Sequence, residues 1–143
     1  MRLAISLAGL LGAVALSLTI QSAAIAKPKA PKAPKATIEG IWVLTMLTQN
    51  GRAETPTPGR DWLRIDHSGS TWGVSGAMTD QVGLNVSVAQ AGSDSITMIF
   101  AHTGGRTTTL TCRLSQDQRQ LRCDEKTTGI GHTTGEAVFN RRA

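Results

Sequence analysis

The sequence predicts an all-β domain, a small antiparallel barrel of about eight short strands, and three observations lead there. After a basic linker, Ile38 to Thr48 reads Ile-Glu-Gly-Ile-Trp-Val-Leu-Thr-Met-Leu-Thr, a run with apolar residues on both faces of a strand. From Trp42 onward, turn signals recur about every eight to twelve residues, the spacing of a sandwich or barrel. No stretch of helical length keeps a 3.6-residue apolar period. A strand apolar on both sides belongs inside a sheet, so the later strands are expected to pair onto this first one.

The chain opens with Met1-Arg2, continues with an uncharged run from Leu3 to Ile20, and then shows Ala24-Ile25-Ala26, a small-x-small cleavage pattern. Residues 1–26 therefore read as a secretory signal peptide cleaved after Ala26. No cysteine precedes Cys112, so no thiol is available for a lipid anchor. Residues 27–36 read as a linker and residues 37–143 as the barrel domain, about a hundred residues and hence one domain by size. The expected location is periplasmic or secreted. Lys27, Lys29, Lys32 and Lys35 sit where basic residues oppose export. They keep open the alternative of an uncleaved signal that anchors the chain in the membrane.

In the linker, Pro28-Lys29-Ala30, Pro31-Lys32-Ala33 and Pro34-Lys35-Ala36 form a repeat with proline at every third position, which favours polyproline II. Lys29, Lys32 and Lys35 would then share one edge, roughly 9 Å apart. Such an edge serves either as a solvated spacer or as an electrostatic contact with an anionic envelope surface. The formal net charge of +5 resides here and in Arg2, because the ten acidic residues beyond Ala36 are balanced by ten basic ones. A neutral folded part has no electrostatic footprint for phosphates, so no nucleic-acid partner is expected.

Turns are expected at Asn50-Gly51 with the proline-bearing loop to Arg60, at Ser68-Gly69, Asp80 to Gly83, Gly92-Ser93, Gly104-Gly105, Asp117-Gln118 and Gly129 to Gly135. Closing a hairpin at Ser68-Gly69 sets Ile65 against Trp72 and Leu63 against Val74. Placing Cys112 opposite Cys123 sets Leu114 against Leu121. Leu110, Cys112, Leu114, Leu121 and Cys123 then line the inner face, with Thr109, Thr111, Arg113, Gln120 and Arg122 outside. Two cysteines in an exported chain are most simply one disulfide, a Cys112–Cys123 bridge. The same alternation puts Trp42, Leu44, Met46, Trp72, Met78, Leu84, Val86, Val88, Ile96, Met98, Phe100 and Phe139 in the core. Strands of about seven residues make a short barrel filled by its own side chains, so no deep ligand cavity is expected.

Gly40-Ile41-Trp42 in the first strand resembles the Gly-x-Trp start of lipocalins and their relatives. That resemblance implies a Trp packed near the closed barrel end against an Arg from the end of the last strand. Within Phe139-Asn140-Arg141-Arg142, Arg141 shares the side of Phe139 by alternation and becomes the cation–π partner of Trp42. The resemblance covers the two ends of the barrel and not its middle. A second and more partial one is to META-domain envelope proteins, whose opening is similar to Trp42–Gly51, the proline loop and Val74-Ser75-Gly76-Ala77-Met78. Thr79-Asp80 stand here where Cys-Asn follows in that family.

Chemistry-bearing patterns are few. His67, His102 and His132 lie far apart with no metal-ligand spacing, so no metal or cofactor is expected. Asp124 and Glu125, like Asp66 and His67, point to opposite faces of a strand. Gly69-Ser70-Thr71-Trp72-Gly73 has its serine off-position for a nucleophile elbow, and Gly104-Gly105-Arg106 lacks the lysine and helix of a phosphate loop. Catalysis is therefore not expected. Trp62 is placed outward with Arg64 and Asp66, a composition suited to a binding surface, beside the loop from Thr55 to Gly59. With no Tyr and only two Phe and three Trp, an extended stacking platform is excluded. The resulting expectation is a monomeric, non-enzymatic, exported lipocalin-like module for a protein or small apolar partner of the cell envelope. An inhibitor of a secreted protease or lysozyme, and a structural META-like envelope-stress protein, are the alternatives.

The charge balance carries a direct test. A chain starting at Thr37 should not retard single- or double-stranded oligonucleotides in a gel-shift titration at low salt, where nonspecific phosphate binding is strongest.

Overall fold

The computed structural model describes Ile25, Ala26, Pro28, residues 37–57 and residues 59–143. The expected signal peptide and linker fall, those three residues aside, outside the described part. Nine antiparallel strands follow in order: β1 (Gly40–Gln49), β2 (Arg52–Glu54), β3 (Trp62–Ser68), β4 (Thr71–Ser75), β5 (Leu84–Ala91), β6 (Ser95–His102), β7 (Thr107–Leu114), β8 (Gln120–Thr128) and β9 (Thr133–Arg141). No helix occurs among the described residues.

The sheet order is β4-β3-β1-β9-β8-β7-β6-β5, with β2 paired to the second half of β1. The edge strands β4 and β5 approach each other without a hydrogen-bonded ladder, so the sheet is nearly closed into a barrel. Strand β1 is interior, as its two-sided apolar character requires, flanked by β3 and β2 on one side and β9 on the other.

Register is set by turn chemistry. Asn50 and Gly51 take positive φ (48° and 76°), the pair of left-handed residues a two-residue primed turn needs between Gln49 and Arg52. In the β3–β4 hairpin the turn residues are Gly69 and Ser70, not Ser68 and Gly69. Only Gly69 has positive φ (60°), the requirement of the first position of a type II′ turn. The pairing therefore slips by two, Ile65 facing Val74 and His67 facing Trp72, with every side chain kept on its expected face. The β7–β8 hairpin has the expected register, Cys112 opposite Cys123 and Leu114 opposite Leu121, and the two cysteines are bonded.

One irregularity overturns part of the expected core. The β1–β9 register shifts between Leu44 and Met46, a bulge centred on Thr45, whose hydroxyl donates to the Val138 carbonyl at 3.0 Å. One extra residue inverts the alternation beyond it. Trp42 and Leu44 face the core, Met46 turns outward (39% exposed), and Leu47 takes the inward position instead. Trp72 is also less central than expected. It is half-buried on the hairpin end, stacked on His67 with ring centroids 4.3 Å apart. Gly135 lies within β9 and not in a turn, because the Thr48 carbonyl approaches so closely that a Cβ there would stand 1.7 Å from it.

One barrel end is plugged. Ile38, outside β1, is fully buried, its amide donating to the Ser93 carbonyl and its carbonyl accepting the Trp42 indole N–H at 2.8 Å. Arg141 stacks on the Trp42 ring, with Cζ 4.3 Å from the centroid. The guanidinium donates to the carbonyls of Thr37 (2.6 Å), Glu39 (2.7 Å) and Gln118 (2.9 Å). Gly40, at φ +138°, has no substitute here, since a Cβ would lie 2.8 Å from Arg141 Nη1. The β7–β8 loop presents the Gln118 carbonyl with Gln118 left-handed (φ 58°). The Ser115 hydroxyl and the Arg119 amide brace this loop and hold the Asp117 carboxyl below the usual carboxylate range.

The three tryptophans should rank by burial. Trp42→Ala should cost about 3–5 kcal/mol, while Trp72→Ala and Trp62→Ala, both half-buried, should each cost less than half of that. Urea midpoints of the three variants check the order.

Candidate functional site

The end opposite the plug is open, and the reason is strand length. Strands β3 and β4 have seven and five residues, whereas β5 to β9 have eight or nine. Over the upper half of the barrel the gap between β1 and β5 is therefore walled by residues 55–57 and 59–61 and by the loop 76–83. Behind them lies an interior cavity of about 360 Å³. The expected filled interior is not found: Thr108 and Ala137 on the wall are too small to occupy it, and the chain has only five aromatic side chains.

The apolar part of the cavity lining is formed by Leu44, Leu47, Met78, Leu84, Phe100 and Phe139, and Gln49, Gln81, Thr108 and Glu125 are polar members of it. Its mouth carries both charge signs, Arg106 against Glu54 and Asp61, with His102 beside them. Both loops are braced. Asp61 accepts the Thr57 amide on its carboxylate, and its carbonyl takes the Leu44 amide at 2.8 Å, fixing Thr57 and Asp61 to β1. Loop 76–83 turns on Gly76, whose carbonyl accepts the amides of Thr79 and Asp80 and the Thr79 hydroxyl.

A polar network crosses the inner wall. Alternation from Cys123 brings Glu125 and Thr127 inward, where they are 4% and 5% exposed. The Thr108 hydroxyl donates to Thr127, the Thr127 hydroxyl donates to Glu125 Oε1 (both 2.9 Å), and the Gln49 amide donates to the same oxygen at 2.9 Å. Gln49, Gly135 and Glu125 occupy one cross-strand row, so the missing side chain at Gly135 lets Gln49 reach across β9. Glu125 Oε2 is buried with no hydrogen-bond partner.

The residues singled out from sequence fall in two places. Thr55 and Pro56 line the cavity mouth. Trp62, Arg64 and Asp66 lie on the outer wall, Trp62 opposite Val43 and Arg64 opposite Ile41. Arg64 Nε is paired with Asp66 at 2.9 Å, both more than half exposed, a contact worth at most about 1 kcal/mol. The half-buried Trp62 is a bracket for loop 76–83. Gly76 packs against its indole, where a Cβ would stand 2.8 Å from Cζ3, and its carbonyl accepts the Met78 amide at 3.1 Å. Trp42 and Arg141 meet at the plugged end, and Cys112 and Cys123 are bonded within the core. Glu125, Thr127 and Gln49 were missed as a group. The signal for Glu125 was present, since Cys123 inward implies Glu125 inward. Gln49 was hidden by the Thr45 bulge. Among the described residues no three metal-ligating side chains come together. No family model, curated protein or solved structure matches the chain.

The network predicts an asymmetric pair of variants. Thr127→Val removes a donor from a buried carboxylate and should destabilise by about 1–3 kcal/mol, whereas Thr127→Ser should retain most of the stability. Denaturant unfolding of both distinguishes the hydrogen bond from the packing.

Proposed function

We propose that this domain is a non-enzymatic binding module of the cell envelope that holds a small, largely apolar molecule inside the barrel. The observation that carries this reading is the cavity itself: about 360 Å³, with Leu44, Leu47, Met78, Leu84, Phe100 and Phe139 in its lining, and within the size range of small-molecule sites. The plugged end supports it, because a rigid base lets the open end keep unfilled space without collapse. The outer face at Trp62 is a weaker candidate, since Arg64 is engaged by Asp66 and Trp62 by loop 76–83.

Export fits the same picture. The Cys112–Cys123 bond is compatible with an oxidising compartment, and a periplasmic or secreted location accords with the expected signal peptide. A lipocalin-like role, implied by the resemblance at Gly40-Ile41-Trp42, is in keeping with a ligand held in the cup.

Nile red, an apolar dye with no hydrogen-bond donor, should bind with a blue-shifted, enhanced emission at one site per chain. Leu84→Trp, which fills the cavity from its wall, should abolish that signal while leaving the far-ultraviolet circular dichroism of the folded barrel unchanged. Undiminished dye binding by Leu84→Trp would place the apolar site elsewhere.

A further inference from the structure

We propose that the cavity selects an amphipathic amine, an apolar body bearing a protonated nitrogen, and that Glu125 is the group that recognises it. The inference rests on the reading of the cavity as the binding site and adds the chemistry of its ligand. Glu125 is 96% buried and lines the cavity. Both of its internal donors, Gln49 and Thr127, converge on Oε1, and Oε2 has none. A buried carboxylate oxygen without a donor is costly, and a ligand that supplies the donor recovers that cost on binding.

The surroundings say what kind of donor fits. Position 135 has no room for a side chain beside the carboxylate: a Cβ there would stand 3.1 Å from Oε2 and 1.7 Å from the Thr48 carbonyl oxygen. The inner wall therefore offers acceptor oxygens and no donor on the Oε2 side of Glu125. The other charged groups of the cavity, Arg106, Glu54 and Asp61, are at the mouth beside His102, with Arg106 and Glu54 exposed. They neither cancel nor replace Glu125, because solvent screens exposed charges far more than a buried one. An acid head group would bring like charge to Glu125. An alcohol would supply one neutral hydrogen bond, and an ammonium supplies a charge-assisted bond roughly twice as strong. The apolar body then covers Leu47, Phe100 and Phe139.

Displacement of Nile red by three probes with one tail, octylamine, octanol and octanoate, tests this at pH 7 on the intact chain. Octylamine should displace the dye at concentrations about tenfold or more below octanol, with octanoate weakest. Glu125→Gln, which keeps an acceptor for Gln49 and Thr127, should still bind Nile red but lose the preference for the amine. Equal or better displacement by octanol or octanoate on the unaltered protein overturns this inference alone, whatever the variant does. Failure of the unaltered protein to bind the dye overturns the cavity reading, and this inference falls with it.

Discussion

The barrel depends on Arg141. Its guanidinium stacks on Trp42, ties the incoming segment at Thr37 and Glu39 to the β7–β8 loop at Gln118, and so joins the first and last strands at the plugged end. Burial draws its pKa below the ordinary arginine value, yet three carbonyl oxygens and a π face replace the lost water. Removing any one partner would leave a cation in a partly dry site with fewer acceptors. That is why glycine stands at position 40 and why Ile38, outside any strand, is as buried as the core.

The open end follows from the plugged one. Because Arg141, Trp42 and Ile38 fix β1 and β9 at the base, the same two strands can tolerate a bulge farther along. The extra residue at Thr45 has a consequence at the site: beyond it Leu47 and Gln49 point inward. Without the bulge Gln49 would face solvent, and Glu125 would lose its amide donor. A backbone irregularity of one residue therefore decides the polarity of the inner wall, consistent with the tendency of bulges to lie beside functional sites.

Two features of loop composition complete the cavity. The short β3–β4 hairpin leaves the upper wall to segments whose glycines and prolines favour turns over ladders, and Trp62 holds one of these segments in place from outside. An outward tryptophan thereby shapes an inward surface.

Local rules made much of this legible in the sequence. Alternation identified the buried faces of β3, β6, β7 and β8, turn residues located nearly every hairpin, and the Cys112 and Cys123 register fixed their pairing. These are properties of a chain within one strand or one hairpin, where side-chain period and turn geometry suffice. The tertiary structure alone decided the rest: the bulge at Thr45, the slip that sets His67 on Trp72, the burial of Ile38, and the close approach of the Thr48 carbonyl to Gly135. Each is a matter of how two surfaces meet. Period two predicts which face a residue takes until one extra residue reverses it. No sequence period reports the volume enclosed once the faces close on each other.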